Sequence, residues 1–419
     1  MNVLIRPGAA RGTVAAPPSK SQAHRLLICA ALADGESTVR GVDRSEDILA
    51  TADCLAALGA SLSWEGDAVR IRGCDSRKAG PAVLRCRESG STLRFMIPLC
   101  LLSGSDIRLE GSETLLSRPL SVYEDLCREQ GLTLWRESTG LLAAGRLAPG
   151  EYSVPGGISS QFITGLLFAL PLLPADSRIR LIPPVESRSY LSLTLQVLRD
   201  AGVPVAWTDE YTLAVPGNAS YRPLDTAVEG DCSNAAFFEA LNCAGGSVTV
   251  TGLREDSLQG DKICREYFRR IREGNACVDV TDCPDLAPVL MAFAAMQGGA
   301  RLTGTRRLRF KESDRGIVMA EELAKFGTPV EIGENEITVG GGTLKTPAEI
   351  LQGHNDHRIV MALAVLCTRT GGTIEGAEAV RKSFPGFWEV FHALGARAAA
   401  MPADKGEFAG WNGLKTGRS

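Results

Sequence analysis

The chain is 419 residues long, 44% hydrophobic, and carries a formal net charge of -4. That length allows two or three domains with sizeable cores, while the acidic balance argues against a general nucleic-acid binder, which needs a basic footprint. Any anion site must therefore be local.

Residues 1–8 contain no apolar run of signal-peptide length, and residues 2–6 read as a strand free to pair with the C-terminal half. The most apolar run, 162–174, is too short to span a bilayer and is interrupted by Thr164 and Pro171. The twelve cysteines are scattered without a C-x-x-C pair, as suits reduced thiols in the cytoplasm. Residues 18–25, PSKSQAHR, run straight into the apolar segment 26–32 and predict a helix start. Its serines can cap free N–H groups, and Lys20 and Arg25 reinforce the positive end of the helix dipole. Such a start is an anion site.

The same pattern recurs six times. Each copy has a polar helix start, an apolar helix, a short strand, an amphipathic helix ending at Gly, and further strand. The apolar helices are expected after Ser21, Ser91, Ser160, Ser233, Asp285 and Asp356, with strands following at 37–40, 106–109, 177–181, 247–250, 300–303 and 372–374. The period is about seventy residues except from Ser233 to Asp285, where it is about fifty. A trimmed edge is expected there, with 271–280 completing one copy on fewer strand residues.

Alternating helices and strands imply α/β layers, the apolar helices buried all round and the amphipathic ones covering the outside. Three copies per domain is the natural division: 18–228, and a discontinuous domain of 1–17 with 229–419. Pro17 and Pro18 mark one crossing and residues 223–230 the other. With the copies set about pseudo-symmetry axes, all six positive helix ends would point toward one cleft. The tail, 401–419, is weakly patterned and reads as frayed.

The chemistry concentrates at the helix starts. Ser159, Ser160 and Gln161 follow two glycines and offer hydroxyls, an amide and N–H groups to a phosphate. Gly90, between Ser89 and Ser91, marks a close backbone approach or simply a turn. Arg118 precedes Pro119 in the loop that begins at Gly111. Residues 306–315, RRLRFKESDR, set five cations and two carboxylates around Leu308 and Phe310, which alternate as strand-like anchors, and Arg suits bidentate recognition of carboxylate or phosphate. His354 and His357 lack a further ligand for a metal site, so Arg358 is read as an anion ligand. Lys382 repeats the cation theme, and Tyr190, near Ser187 and Arg188, either lies along a ring or packs as an ordinary aromatic. Cations alone would only bind. Asp285 and Glu312 supply what acid–base work requires, with Lys20 and Lys311 to tune them.

Taken in order, PPSKSQAHR, SGSTLR, SSQFITGLL, ESRSY, LRFKESDR, NDHR and RKSFPGFW closely resemble the 5-enolpyruvylshikimate-3-phosphate synthase family over about residues 4–395. The resemblance implies a two-domain inside-out α/β barrel, each domain built from three βαβαββ repeats, that closes on its substrates. It implies addition of the 5-hydroxyl of shikimate 3-phosphate to C2 of phosphoenolpyruvate, protonation of C3, and loss of phosphate from the tetrahedral intermediate. No metal or organic cofactor is implied, nor nucleic acid or membrane, and a cytoplasmic monomer is expected.

Carried over by position, Lys20, Ser21 and Arg25 fall in the first motif, Ser21 and Arg25 on the shikimate side. Ser159, Ser160, Gln161 and Ser187 would surround the 3-phosphate, flanked by Tyr190. Lys20, Gly90, Arg118, Gln161 and Lys382 would face the phosphate of phosphoenolpyruvate, and Arg315 and Arg358 its carboxylate. Asp285 would accept the hydroxyl proton, Glu312 would donate to carbon, and Lys311 would contact the ring substituents. Gly90 is the small residue that accompanies glyphosate sensitivity in the family.

Three positions depart from the family pattern: Arg307 stands where many members have Asn, Glu88 where Asn is common, and Phe95 where Pro is common. A related enzyme, UDP-N-acetylglucosamine enolpyruvyltransferase, usually carries a reactive Cys in the loop corresponding to 111–118, where this chain has none, and Asn after the first Lys, where it has Ser21. A non-catalytic anion-binding module would not need both acids.

Overall fold

The computed structural model describes residues 1–274 and 276–401, so the tail beyond 401 lies outside the described residues. The chain forms two compact units, Pro18–Glu229 and Met1–Pro17 with Gly230–Ser419.

Pro18–Glu229 contains three four-stranded sheets of one design. Ala82–Arg85 runs parallel to Ile107–Glu110, the helix Gly90–Cys100 connects them, and Gly140–Ala144 and Thr133–Arg136 add antiparallel on the far side. Glu151–Pro155 pairs with Ser177–Ile182 through the helix Ser160–Ala169 in the same way. The remaining sheet takes its parallel strand from the end of the unit, where Asp225–Ala227 lies beside Glu36–Arg40. This return closes the ring of repeats.

The other unit repeats the plan with two changes. Asn2–Arg6 pairs antiparallel with both Gly372–Glu375 and Arg397–Met401, as expected of the first strand. Arg11–Ala15 pairs in parallel with Ser247–Thr251, and this sheet has only those two strands. The short step therefore belongs wholly to the fourth copy. Ala276–Asp279 does not complete that copy but opens the fifth, pairing in parallel with Gly299–Thr303, and the fifth copy is a full four-stranded sheet. What the fourth copy lacks is its antiparallel hairpin. One unpaired stretch of its edge is covered by Asn242, whose Oδ1 accepts from the Val248 N–H at 2.6 Å and whose Nδ2 donates to the Val248 carbonyl at 2.9 Å. A side-chain amide here does the work of a strand.

The layering follows the hydrophobic pattern. Every residue of the helix Ala287–Met296 is buried, whereas Cys264–Glu273 buries Cys264, Tyr267, Phe268 and Ile271, a single stripe at helical spacing. The six apolar helices fill two separate cores, one per unit. The sixth starts at His357, directly after Asp356 as expected, and the other five differ from expectation by a residue or two. Lys20, Gly90 and Cys232 already lie in the first turn, because Ser19, Ser89 and Asp231 are the residues that cap, each accepting an N–H from three positions on. The outer helices end where expected, Gly59 and Gly327 taking φ of +112° and +80°, values that a side chain disfavours. Among the described residues no helix is long and apolar enough to cross a membrane, and all twelve cysteines are free.

Candidate active site

In Pro18–Glu229 hydrogen bonds tie three helix starts together. Gln161, in the first turn after the Ser159 cap, donates from Nε2 to Ser91 Oγ at 2.9 Å and accepts from Arg94 Nη1 at 2.7 Å. The second and third starts are thereby joined. A fully buried chain joins the first to the second: His24 Nδ1 meets Thr51 Oγ1 at 2.8 Å, Thr51 meets Thr92 at 2.7 Å, and Thr92 donates to Ser89 Oγ at 2.8 Å. Burial, then Lys20 and Arg25, hold His24 well below the usual histidine pKa, so the ring is neutral.

The cations of this unit are held by neighbouring groups. Arg25 donates from Nε to Thr194 Oγ1 at 2.8 Å and from Nη2 to the Tyr190 carbonyl at 3.2 Å, with Phe95 under its guanidinium at 5.5 Å. Burial lowers its pKa to about 10. Phe95, the departure from Pro, thus packs under a candidate site residue. Arg118 packs against Gly90, where an added Cβ would stand 2.8 Å from its Nη1 and 3.4 Å from Nη1 of Arg94. Its buried Nε has no partner among the described residues. Lys20 is paired, its Nζ 2.7 Å from Asp47 Oδ2. Ser187, capping Arg188–Asp200, holds a left-handed φ of +56°, a strain that non-glycine residues bear mostly where function requires it.

The second unit gathers its own set. Asp285, in a turn of 3-10 helix that leads into the fifth apolar helix, lies 2.7 Å from Arg315 Nη1, 3.0 Å from Lys311 Nζ and 3.1 Å from Arg358 Nη2. Burial alone would raise its pKa, but Arg358, Lys311 and Arg315 outweigh burial and hold the carboxyl well below the usual range. Arg358 also donates to Ser233 Oγ, so the fourth, fifth and sixth starts meet at one guanidinium. Arg315 is 1% exposed and serves three acids, Asp285, Glu312 Oε2 at 2.6 Å, and Asp356 Oδ2 at 2.7 Å. Lys382 Nζ donates to the Asn355 carbonyl at 2.7 Å.

The basic loop is not strand-like. Arg306–Phe310 forms a 3-10 helix that buries Arg307 and Leu308, while Phe310, at its last position, stays 38% exposed. Of the two histidines weighed for a metal, His354 gives its Nε2 to Glu322. Sequence reading missed Asp47, Arg94 and Asp261, and placed Asp356 only as a helix start. Arg94 had a signal, since it lies one helical turn beyond Gly90 on the same face. Asp261 is buried beside Asp285, and that burial with the neighbouring charges pushes its pKa to about 7.

Each unit is thus a cluster of helix N-termini studded with cations, and the second adds three acids on one shared arginine. This is the apparatus of an enzyme that handles anions. The chain matches the family EPSP synthase (3-phosphoshikimate 1-carboxyvinyltransferase) over residues 5–391 and belongs to that family. It is 40% identical to a 3-phosphoshikimate 1-carboxyvinyltransferase of Clostridium kluyveri, across 94% of this chain and 97% of the relative. The counterpart in Clostridioides difficile is 36% identical across 94% and 98%. A solved EPSP synthase from Acinetobacter baumannii shares the fold, with a TM-score of 0.76 at 24% identity over 95% of this chain and 99% of that one.

Proposed function

We propose that the chain transfers the enolpyruvyl group of phosphoenolpyruvate to the 5-hydroxyl of shikimate 3-phosphate and releases phosphate. The observation that carries the reading, in a chain of this family, is Asp285 held ionised among Lys311, Arg315 and Arg358, with Glu312 on the same arginine. Asp285 takes the hydroxyl proton as oxygen bonds to C2, and Glu312 protonates C3. The adduct then loses phosphate, and a C3 proton returns to Glu312 as the double bond is restored.

The low affinity of Asp285 for a proton is set by its three cations. When Arg358 and Lys311 share their charge with the incoming anions, Asp285 loses counter-charge and becomes the stronger base that the step needs. Ser21, Arg25, Ser159, Ser160, Gln161, Ser187 and Tyr190 are assigned to shikimate 3-phosphate. Lys20, Gly90, Arg118, Gln161 and Lys382 are assigned to the phosphate of phosphoenolpyruvate, and Arg358, with Arg315 behind it, to the carboxylate. These cations offset the charge of two anions that repel each other in water. The enzyme is assigned to the reducing cytoplasm, in keeping with twelve free thiols, and to a monomeric state on the family resemblance alone.

A phosphate-release assay with both substrates tests the reading. Release is expected with shikimate 3-phosphate and should fall about 10²–10⁴-fold in Asp285→Asn, the range for loss of a general base. Release only with UDP-N-acetylglucosamine, or with neither acceptor, would overturn it.

A further inference from the structure

We infer that Glu322 and His354, which lie outside the assigned site, are positioning residues for the phosphoenolpyruvate ligands. The inference rests on the reading above. Glu322, on the helix Arg315–Lys325, is a carboxylate only 1% exposed. Four donor contacts reach it: Lys325 Nζ at 2.9 and 3.0 Å, the Gln352 N–H at 3.0 Å, and His354 Nε2 at 3.0 Å. Lys325 also donates to the Ile350 carbonyl at 3.1 Å. Burial works against the charged form, yet His354, Lys325 and the Gln352 N–H hold the Glu322 pKa below its usual value. Since an ionised carboxylate can only accept, the His354 ring must donate through Nε2–H.

Every one of those contacts outside the helix falls on residues 350–354, the approach to the sixth helix start. The next turn is strained: His354 and Asn355 are successive non-glycine residues at φ +48° and +51°. Such a turn persists only when its surroundings over-determine it. On its far side it presents the Asn355 carbonyl to Lys382 at 2.7 Å, then the Asp356 carboxylate to Arg315 at 2.7 Å and to the Arg358 N–H at 2.9 Å. One clamped turn therefore sets both the cation assigned to the phosphate and the two assigned to the carboxylate. A buried acid is a costly way to fasten a loop for stability alone, since well-packed apolar residues of similar volume serve as well. It is a good way to fix the angle of hydrogen-bonding groups.

The test compares His354→Phe, which keeps a ring and loses the donor, with His354→Gln, whose amide can restore one. His354 has a partly exposed side chain, so both variants should fold even where Glu322→Gln does not. Expected for His354→Phe is a KM for phosphoenolpyruvate raised about tenfold, with kcat and the KM for shikimate 3-phosphate within about twofold, and recovery to within about threefold in His354→Gln. Calorimetric titration with phosphoenolpyruvate and no acceptor should show the same order of affinities. Unchanged KM and affinity in His354→Phe, equal losses on both substrates, or no recovery in His354→Gln would overturn the inference. A wild-type protein that binds phosphoenolpyruvate but releases no phosphate would overturn the proposed function instead, and the titration would still decide the role of the turn.

Discussion

Arg315 donates from Nε to Asp356 Oδ2 at 2.7 Å, with the two residues 1% and 0% exposed. Asp285 and Glu312 share the same guanidinium, so one cation stands among three carboxylates. Burial would lower the Arg315 pKa, but Asp356, Glu312 and Asp285 raise it, and the group stays charged. Arg315→Met should strand those acids and lower the free energy of unfolding by about 3–5 kcal/mol, the usual cost of breaking a buried pair. Arg315→Lys keeps a charge but loses the fork, so it should keep more stability while losing turnover. Urea titration with assays on the folded fraction checks both, and a fully stable Arg315→Met would refute the arrangement.

Gly90 faces Arg118 and Arg94 across a gap that a methyl group would close. The crowded atom is the end of a flexible side chain, so Gly90→Ala should fold normally, its melting temperature within about 2 °C of wild type. Displacing Arg118 should raise the KM for phosphoenolpyruvate about tenfold, equivalent to about 1.4 kcal/mol. Glyphosate, expected to inhibit the wild type, should inhibit the variant less. Dose–response curves decide it, and wild-type activity unchanged at millimolar glyphosate would count against the sensitivity inferred from Gly90.

How much of this was readable beforehand differs from residue to residue, for physical reasons. The apolar runs after Lys20, Gly90 and Ser160 announce buried helices because a helix covered on every side needs no polar face. Their polar starts were legible as the clusters of hydroxyls and cations that precede those runs. Ser19 and Ser21 both fit the capping pattern, and only the backbone direction shows that Ser19 performs it. The pairing of Lys20 with Asp47 was not legible, because the two are far apart in sequence and only the packing of their helices brings them together. The trimmed repeat was visible as a short step, but Ala276–Asp279 could equally finish one copy or open the next until its strand partner was known. At Arg306–Phe310 alternation suggested a strand, and a local 3-10 winding prevailed.

Asp261 gives a pH signature. Burial, then Asp285 nearby, raises its pKa from 3.8 to about 7, with Asp231 adding to the rise and Arg358 and Lys311 opposing it. Between the two values the folded chain binds this proton more tightly than the unfolded chain, so the contribution of Asp261 to stability falls as pH rises from about 4 to about 7. Asp261→Asn removes that dependence. The variant should melt a few degrees above wild type at pH 8 and show little or none of that advantage at pH 4.5. Melting curves at the two pH values check the sign. An advantage confined to low pH would show that the carboxyl is ionised in the fold.

Asn242 is the least conspicuous residue with a large expected effect. Its amide satisfies both the N–H and the carbonyl of Val248 on the edge that a hairpin covers in the full repeats. Asn242→Ala would leave both backbone groups without this partner, and each unmade bond in a partly buried setting costs about 1 kcal/mol or more. A loss of about 2 kcal/mol in urea unfolding is expected, with activity of the folded fraction unchanged. Asn242→Asp should cost a similar amount, because a carboxylate still accepts from the Val248 N–H but repels its carbonyl. The variant with alanine should also aggregate faster at high concentration, since strand edge is now open to another chain. Light scattering measures that directly, and an equally stable, equally soluble Asn242→Ala would mean that solvent serves the edge as well as the amide does.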